Sequence, residues 1–229
     1  MVGAPAEHVR DAFTRSQGDY LKALYLLGGA DKPVPTRELA HRLGISSPSV
    51  SEMVTRLSAQ GLIQHDRYRG QVLTKEGRKV ALELVRHHRL LEMFLVQILG
   101  YGWDEVHEEA ERLEHVISER MEERIFELLG RPGLDPHGHA IPTLAGKVKP
   151  VSNRPLSECK AGEKVIVQGV SDDDAVRLRE LDRRGLHPGT RLSVVAGSQF
   201  EGPIEIRLKG RRDSVPLGLA KAMFVAEDR

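Results

Sequence analysis

Apolar residues recur at helical spacing through the first half of the chain and alternate as in strands near its C-terminal end. A run from Tyr20 to Leu27 that stops at Gly28 predicts the first helix, because glycine commonly ends a helix. The stretch from Trp103 to Leu129 contains no proline or glycine and predicts one long helix. The predicted helices cover approximately residues 20–27, 36–44, 47–60, 74–100, 103–129 and 172–184.

The second and third predicted helices have the spacing of a helix-turn-helix. Ala40, Gly44, Val50 and Met53 stand where such a motif needs a small contact residue, a turn glycine and two packing residues. Two strand-like runs follow and enclose a basic tip closed by Gly70. A helix-turn-helix followed by a basic hairpin predicts a winged helix that binds DNA; a winged helix used only for protein contacts is the alternative.

After Leu156 the pattern changes to short alternating runs separated by glycines, which predicts a small β-barrel. Between Gly130 and Pro155 the chain is rich in proline and turn residues, which indicates a linker or a segment lying on another domain. We therefore predict a mainly α fold with small β elements. Its predicted domains are a winged helix-turn-helix at residues 1–82, a helical metal-binding and dimerisation domain at 83–150 and a small β-barrel at 151–229.

The composition is that of a soluble globular protein, with 40% hydrophobic and 29% charged residues. The net charge of +1 hides a local asymmetry, because residues 34–79 hold eight basic and four acidic residues whereas 104–127 hold ten acidic residues and three arginines. This asymmetry indicates a polyanion partner at one end and a cation at the other. The single cysteine, Cys159, excludes an intramolecular disulfide and a cysteine-based zinc module. No signal-like start or transmembrane-length apolar run is present, so we expect a cytoplasmic protein without a membrane partner.

The acidic helix carries groups that bind metal ions. At about 100° per residue, His107, Glu111, Glu114 and His115 fall within one sector of that helix. Two imidazoles and two carboxylates on one face can form a metal site in a helical bundle. A solvated acidic face with a few histidines is the alternative. An adjacent apolar stripe is expected to form the dimer interface, through Val106, Ala110, Leu113, Ile117 and Met121.

Further candidate donors lie outside the acidic helix. His88 and Glu92 are neighbours at i and i+4 on the preceding helix. Asp19 stands near the start of the first helix, where capping of the first turn is the alternative role. His137 and His139 are not predicted as ligands, because the proline-rich segment that carries them lacks a regular scaffold.

The predicted DNA-binding residues lie on the recognition helix and on the wing. Glu52 can accept a hydrogen bond from a cytosine amino group, although a plain surface role is equally consistent with its position. Arg67 and Arg69 on the wing are expected to bind phosphates, which positions the protein without reading sequence. The candidates on the recognition helix or its entry are Ser47, Pro48, Ser49, Ser51, Glu52 and Arg56.

Together these features resemble the diphtheria toxin repressor (DtxR) family of metal-dependent regulators. The resemblance covers nearly the whole chain from Ser16 onward, and the C-terminal unit resembles the family's FeoA-like barrel of the Src-homology-3 type. The sharpest matches are Asp19-Tyr20, the run Tyr-Arg-Gly-Gln-Val-Leu-Thr at 68–74, the run from His88 to Glu92, and Glu114-His115, supported by 138–142.

The resemblance implies two metal sites in each chain. The implied primary ligands are Asp19, Glu111, Glu114 and His115. The implied ancillary ligands are His88, Glu92 and His107, completed by an acid of the third domain, where Asp174 aligns best and Asp172 and Asp173 are alternatives.

Two positions separate the metals that members of the family sense. Iron-sensing members carry Met and Cys where Asp19 and Glu111 stand, whereas the manganese transport regulator branch resembles this sequence at both positions. Mn(II) is therefore the expected corepressor, and Fe(II) is the alternative. This sequence departs from the manganese branch in two ways. It has Lys22 where that branch has a carboxylate, and it has a C-terminal barrel that members of that branch lack. We therefore expect two separate sites rather than a two-metal cluster.

The resulting prediction is a homodimeric, metal-activated repressor that binds a double-stranded DNA operator and controls genes of metal homeostasis. One alternative is a metal-independent winged-helix dimer. Another is a metalloenzyme that uses the Glu/His cluster. The zinc-protease pattern H-E-x-x-H is absent at that cluster, because Glu111 stands where the second histidine should be.

Overall fold

The computed structural model describes residues 13–66, 68–197 and 202–228. In chain order the helices are α1 Arg15–Leu26, α2 Thr36–Leu43, α3 Ser47–Ala59, α4 Lys75–Gln97, α5 Val106–Leu113, α6 Glu119–Leu128, α7 Ala175–Arg184 and α8 Leu217–Lys221. The strands are β1 Ile63–Asp66, β2 Gly70–Leu73, β3 Lys164–Val170, β4 Arg191–Ala196, β5 Ile204–Leu208, β6 Arg211–Val215 and β7 Met223–Glu227.

The described chain forms two compact units. The first unit combines the described residues of Met1–His87 with Glu114–Glu122 and Pro142–Lys147. The second unit combines His88–Leu113, Glu123–Ile141 and the described residues of Val148–Arg229. The predicted boundaries at residues 82 and 150 stay predictions. No helix in the described ranges is both long and apolar enough to cross a membrane.

The helix α1 begins one turn earlier than the sequence pattern indicated. Thr14 caps the helix, because its hydroxyl accepts from the amide of Gln17 while the Gln17 side chain accepts from the amide of Thr14. Asp19 is therefore the fifth residue of α1 and lies beyond the first turn. The capping role considered for Asp19 is not found, which leaves its carboxylate available for other contacts.

The predicted helix-turn-helix and hairpin are confirmed. Gly44 ends α2 in the left-handed conformation with φ of 66°, where a side chain would be strained, and Ser46 caps α3 by accepting from the amide of Ser49. The strands β1 and β2 pair in antiparallel register from Ile63 opposite Leu73 onward. One buried cluster holds these elements and α1 together, including Leu21, Leu24, Leu39, Val50, Val54, Leu57 and Ile63.

The prediction of one continuous helix from Trp103 to Leu129 is wrong. The helix breaks after Leu113, and α6 begins at Glu119 after a turn. Ser118 starts α6, since its hydroxyl accepts from the amide of Met121. The break places Glu114 and His115 in the turn rather than on a helix face. The directions of their side chains therefore do not follow the helical spacing used in the prediction.

The apolar stripe proposed for dimerisation is largely covered within the chain. Val106 and Ala110 are fully buried and Ile117 is nearly so, whereas Met121 is 46% exposed. Most of the stripe therefore packs on the same chain, which corrects the expectation that it forms the dimer contact as a whole.

The C-terminal part contains a five-stranded antiparallel sheet in the order β6-β5-β4-β3-β7 among the described residues. Its apolar faces pack with α7 and α8 around a core that includes Leu156, Val165, Leu178 and Ile206. The strand β6 was not predicted, because its sequence Arg-Arg-Asp-Ser-Val is mostly polar. Closure of the sheet into a barrel stays a prediction.

The proline-rich segment is tied to this sheet. The amide of Val170 on β3 donates to the carbonyl of His137 at 2.9 Å. Gly138 has φ of 90°, and a Cβ at this position would lie 2.1 Å from the carbonyl oxygen of Gln168, so only glycine allows this close approach. The indole of Trp103 donates to the carbonyl of Pro136 at 3.1 Å. The segment thus has the scaffold that the sequence pattern did not reveal.

Candidate metal centre and nucleic-acid interface

Three candidate ligands meet in the first unit, and we call them the Asp19 group: Asp19, Glu114 and His115. The Nε2 atom of His115 lies 2.7 Å from Asp19 Oδ1 and 3.4 Å from Glu114 Oε1. Gly18 allows this approach, because a Cβ there would meet the His115 ring at 3.3 Å and Leu84 at 2.8 Å. Two carboxylates and an imidazole that converge in this way are a donor set for a divalent cation.

A lysine also takes part in the Asp19 group. Lys22 lies one turn after Asp19 on α1, and its ammonium donates to both oxygens of Glu114 at 2.9 and 2.6 Å. Both side chains are buried, with 7% of Lys22 and none of Glu114 exposed. The sequence marked Lys22 as unusual but gave no sign of this ion pair.

A second set of candidate ligands meets in the second unit, and we call it the Glu92 group: His88, Glu92, His107, His137 and Asp172. Glu92 is fully buried, and its Oε1 lies 3.1 Å from His88 Nε2 and 3.3 Å from His107 Nδ1. Its other oxygen, Oε2, lies 3.7 Å from His137 Nδ1. Asp172 Oδ2 lies 3.9 Å from His107 Nδ1.

The Glu92 group fits a metal ion by a further observation. Among the described residues, the buried atoms Glu92 Oε2 and His137 Nδ1 have no hydrogen-bond partner. An unsatisfied buried polar atom is costly, and an ion between these two atoms would satisfy both. His139 borders the group, with Nδ1 3.6 Å from Asp172 Oδ2 and 3.2 Å from Asp135 Oδ2. His137, His139 and Asp135 were missed from the sequence, although the His-x-His spacing was a signal.

The charges of the Glu92 group shift the pKa values of Glu92 and His137. Burial alone would raise the pKa of Glu92, but His88, His107 and His137 outweigh it and hold that pKa well below its ordinary value. Burial alone would lower the pKa of His137, yet Glu92, together with more distant aspartates, raises it from 6.5 to about 9. Without an ion, a proton on His137 therefore offsets part of the charge of the buried carboxylate.

The acid that the third domain brings to the Glu92 group is Asp172. Asp174, the residue that aligned best, instead caps α7, where its Oδ1 accepts from the amides of Val176 and Arg177. Asp173 accepts from Ser171 and pairs with Arg177. Because Asp174 caps α7, its carboxylate is turned to the helix amides, and its predicted place among the ancillary ligands stays a prediction.

Glu111 lies on α5, one turn after His107, with its Oε1 4.0 Å from His107 Nε2. Its predicted place among the primary ligands stays a prediction.

A third set of donors in the first unit is part of an ion-pair network. His87 is fully buried, and its Nε2 lies 3.0 Å from Glu122 Oε2 and 3.9 Å from Glu119 Oε1. Arg86 donates to Glu122 and, at 2.7 Å, to the carbonyl of Pro142. This network connects α4, α6 and the segment after Ile141 within that unit, and we assign it a structural role.

The candidate DNA-binding residues lie on an open surface. Ser47, Pro48, Ser49 and Ser51 at the start of α3 are all exposed. Glu52 and Arg56, 69% and 63% exposed, form an ion pair across one turn of α3, so the carboxylate that would repel phosphate has a partner.

On the wing, Arg69 is exposed, and Asp66 shapes the turn by accepting from the amides of Tyr68 and Arg69 at 2.8 and 3.0 Å. These amides lower the pKa of Asp66. Arg67, the other predicted wing contact, lies outside the described residues.

Comparisons with known proteins agree with this arrangement. The sequence matches the iron dependent repressor N-terminal DNA binding domain at residues 12–71, the iron dependent repressor metal binding and dimerisation domain at 74–143, and the FeoA domain at 154–227. Over 187 residues it is 35% identical to the iron-dependent repressor IdeR of Mycobacterium leprae, covering 76% of this chain and 81% of that one. The chain belongs to the diphtheria toxin repressor family.

Solved structures of this family have the same fold. A manganese-dependent transcriptional repressor in complex with manganese superposes with a TM-score of 0.85 at 40% identity, covering 92% of this chain and 99% of that one. ScaR with bound Zn²⁺ superposes with a TM-score of 0.78 at 34% identity, again over 92% and 99%. The predicted family is thus confirmed, and the chain is a metal-dependent transcriptional repressor. Its named relatives are repressors, not enzymes, which removes the metalloenzyme alternative.

Proposed function

We propose that this repressor is a cytoplasmic homodimer whose corepressor is Mn(II), with Fe(II) as a weaker activator, and that it controls genes of metal homeostasis. The observation that carries the proposal is the 2.7 Å contact between Asp19 and His115. Asp19 lies in the segment similar to a DNA-binding domain, and His115 in the segment similar to a metal-binding and dimerisation domain. A ligand set shared by the two segments can couple metal occupancy to DNA binding.

The donor chemistry supports Mn(II). With Glu111 added, the proposed primary set of Asp19, Glu111, Glu114 and His115 has three carboxylates and one imidazole, and hard oxygen donors suit Mn(II) better than softer ions. The general affinity order of divalent ions runs against Mn(II), so selectivity must come from geometry and metal availability. A relative of this fold is described as manganese-dependent, whereas another relative is described as iron-dependent. The Glu92 group is the proposed ancillary site, with Asp172 in place of Asp174.

The proposed coupling passes through α1. Leu21 and Leu24 of α1 belong to a buried cluster. The same cluster contains Val50 and Val54 of α3, the predicted recognition helix. Because the interior is closely packed, a shift of α1 should also shift α3. A divalent ion would hold the carboxylate of Asp19 on α1 together with Glu114 and His115 of the turn after α5. The ion favours the DNA-binding arrangement only if it binds that arrangement more tightly.

Homodimerisation and DNA contacts complete the proposal. In a dimer, the distance between two α3 helices must match the spacing of two half-sites. Similarity to a dimerisation domain supports the dimer, and Val116 and Met121, 74% and 46% exposed, are apolar residues available for a contact. We assign base contacts to the exposed start of α3 and phosphate contacts to Arg67 and Arg69.

A metal titration of DNA binding tests the proposal. A duplex selected from a random-sequence pool with Mn(II) present is titrated anaerobically with the full chain and, in turn, Mn(II), Fe(II), Co(II), Ni(II) and Zn(II). We expect Mn(II) to activate binding at lower concentration than Fe(II). DNA binding that is equal with and without every ion would support the metal-independent dimer instead.

A double variant tests the primary ligands. Asp19→Met with Glu111→Cys replaces two hard donors by soft ones and should move the preference toward Fe(II), Co(II) and Ni(II). The matched control makes the same changes at exposed positions, Asp31→Met with Glu108→Cys, and should keep the parental order of ions. An unchanged order in Asp19→Met/Glu111→Cys would show that these side chains do not bind the activating ion.

A further inference from the structure

Lys22 already forms an ion pair with Glu114, which is a proposed metal ligand. Its ammonium contacts both oxygens of Glu114, at 2.9 and 2.6 Å, inside a pocket that leaves 7% of Lys22 and none of Glu114 exposed. Burial makes this contact more than a surface ion pair, because neither charge can return to water without moving the other.

The same oxygen of Glu114 faces both the lysine and the imidazole. Glu114 Oε1 lies 2.9 Å from Lys22 Nζ and 3.4 Å from His115 Nε2. An ion that binds His115 Nε2 and this oxygen therefore comes close to the ammonium. Like charges repel, and in a buried site water and salt screen this repulsion weakly.

We propose that Lys22 is an internal competitor for Glu114 and sets the metal threshold of the Asp19 group. The inference rests on the proposed function, in which the Asp19 group binds the activating ion. Without metal, Lys22 balances the buried carboxylate and keeps Glu114 in place. With metal, the ion must share Glu114 with the ammonium, so binding is weaker than the donor set alone would give. The repressor then responds only when the metal is abundant.

A purely orienting role for Lys22 predicts the opposite sign. If the ammonium served only to hold Glu114 in the correct position for the ion, its removal would loosen the ligand and weaken metal binding. If Lys22 competes, its removal leaves a buried carboxylate that a divalent ion compensates, and metal binding becomes tighter. The direction of the change therefore decides between the two roles.

The test measures Mn(II) binding to the full chain by the electron paramagnetic resonance signal of unbound Mn(II). Lys22→Met keeps the length of the side chain and removes its charge. We expect one class of site to bind Mn(II) about tenfold more tightly, which corresponds to about 1.4 kcal/mol. Lys22→Arg keeps the charge and should not tighten Mn(II) binding. Lys32→Met removes an exposed charge of the same unit and should also leave the affinity unchanged.

A second substitution assigns the effect to the Asp19 group. In Lys22→Met/His115→Ala the tightened class of site should disappear. Unchanged or weaker Mn(II) binding in Lys22→Met would overturn the inference. If the single variant His115→Ala bound as much Mn(II) as the parent, the proposed function itself would be wrong. This result differs from the one that overturns the inference about Lys22, so the two failures are distinguishable.

Folding is checked separately, because Lys22→Met leaves Glu114 buried without the ammonium. We expect this variant to melt at a lower temperature than the parent without metal and to gain more than the parent on addition of Mn(II), since a ligand stabilises the state that binds it. Lys22→Gln, whose amide still donates to Glu114, serves if Lys22→Met does not fold, and should tighten Mn(II) binding in the same direction. A smaller Mn(II)-induced gain in melting temperature than in the parent would contradict the competitor role.

Discussion

In the Asp19 group the buried carboxylate of Glu114 contacts the ammonium of Lys22, whereas in the Glu92 group the buried carboxylate of Glu92 contacts imidazoles. An imidazole that loses its proton becomes a metal ligand, whereas the side chain of a lysine has hydrogen-bond donors and no acceptor. Under the proposed function, an ion entering the Glu92 group replaces the proton of His137, and an ion entering the Asp19 group competes with the ammonium of Lys22 for Glu114. We therefore expect the two groups to differ in metal affinity although their donor types are similar.

The largest effect is expected for the ligand that connects α1 to the turn after α5. His115→Ala removes the imidazole of the Asp19 group and should weaken Mn(II) binding there by at least about 100-fold. The metal-dependent gain in DNA binding should disappear with it. Both are measured by Mn(II) titration with DNA-binding anisotropy as the second readout. His41→Ala, an exposed histidine on α2, is the control for Mn(II) stoichiometry. Retained metal activation in His115→Ala would assign the switch to the Glu92 group.

A smaller effect is expected at the centre of the Glu92 group. Glu92→Gln keeps the shape of the side chain but removes the charge that faces three imidazoles, and should weaken Mn(II) binding to this group by about 30-fold. Activation of DNA binding should persist at saturating Mn(II), because the Asp19 group is intact. Glu76→Gln, at an exposed position of the same helix, should bind Mn(II) as the parent does. If both groups lost Mn(II) together, they would not be independent sites.

The aspartates before α7 give a matched pair. Asp172→Ala should weaken Mn(II) binding to the Glu92 group by about tenfold, as expected for a peripheral ligand. Asp174→Ala should leave Mn(II) binding unchanged but lower the free energy of unfolding by about 1 kcal/mol, because it removes the N-cap of α7. Calorimetry of Mn(II) binding and urea unfolding measure the two effects. Weaker Mn(II) binding in Asp174→Ala but not in Asp172→Ala would instead support Asp174 as the ligand, as the family resemblance implies.

The smallest effect is a pH dependence of the Glu92 group. The pKa of His137 is raised to about 9, so its imidazole is protonated near neutral pH without metal. Because a metal binds the neutral imidazole, binding should release this proton, and affinity should increase as pH rises toward 9, by less than about tenfold per pH unit. Proton release is measured in weakly buffered solution, and His137→Asn should reduce it. Equal release in the parent and His137→Asn would show that His137 carries no exchangeable proton.

The sequence was sufficient for those parts of the fold in which local signals agree. The turn glycine Gly44, the cap Ser46 and the alternation around the wing all specified one structure. The long acidic helix was mispredicted because the residues from Glu114 to Ser118 include no proline or glycine. The ion pair of Glu114 with Lys22 on α1 and the cap that Ser118 provides to α6 favour a turn there. The strand β6 was missed because its exposed residues are polar.

The sequence by itself determined the family, the donor types and the spacing that brings His88 next to Glu92 on one helix, because these depend on local chemistry and helical periodicity. Only the tertiary structure decided that Asp172 rather than Asp174 faces the histidines, and that His137 reaches Glu92 from a segment held by β3. Contacts between residues far apart in the chain depend on packing, which no local pattern encodes. The contact of Lys22 with Glu114, 92 positions later, has the same origin.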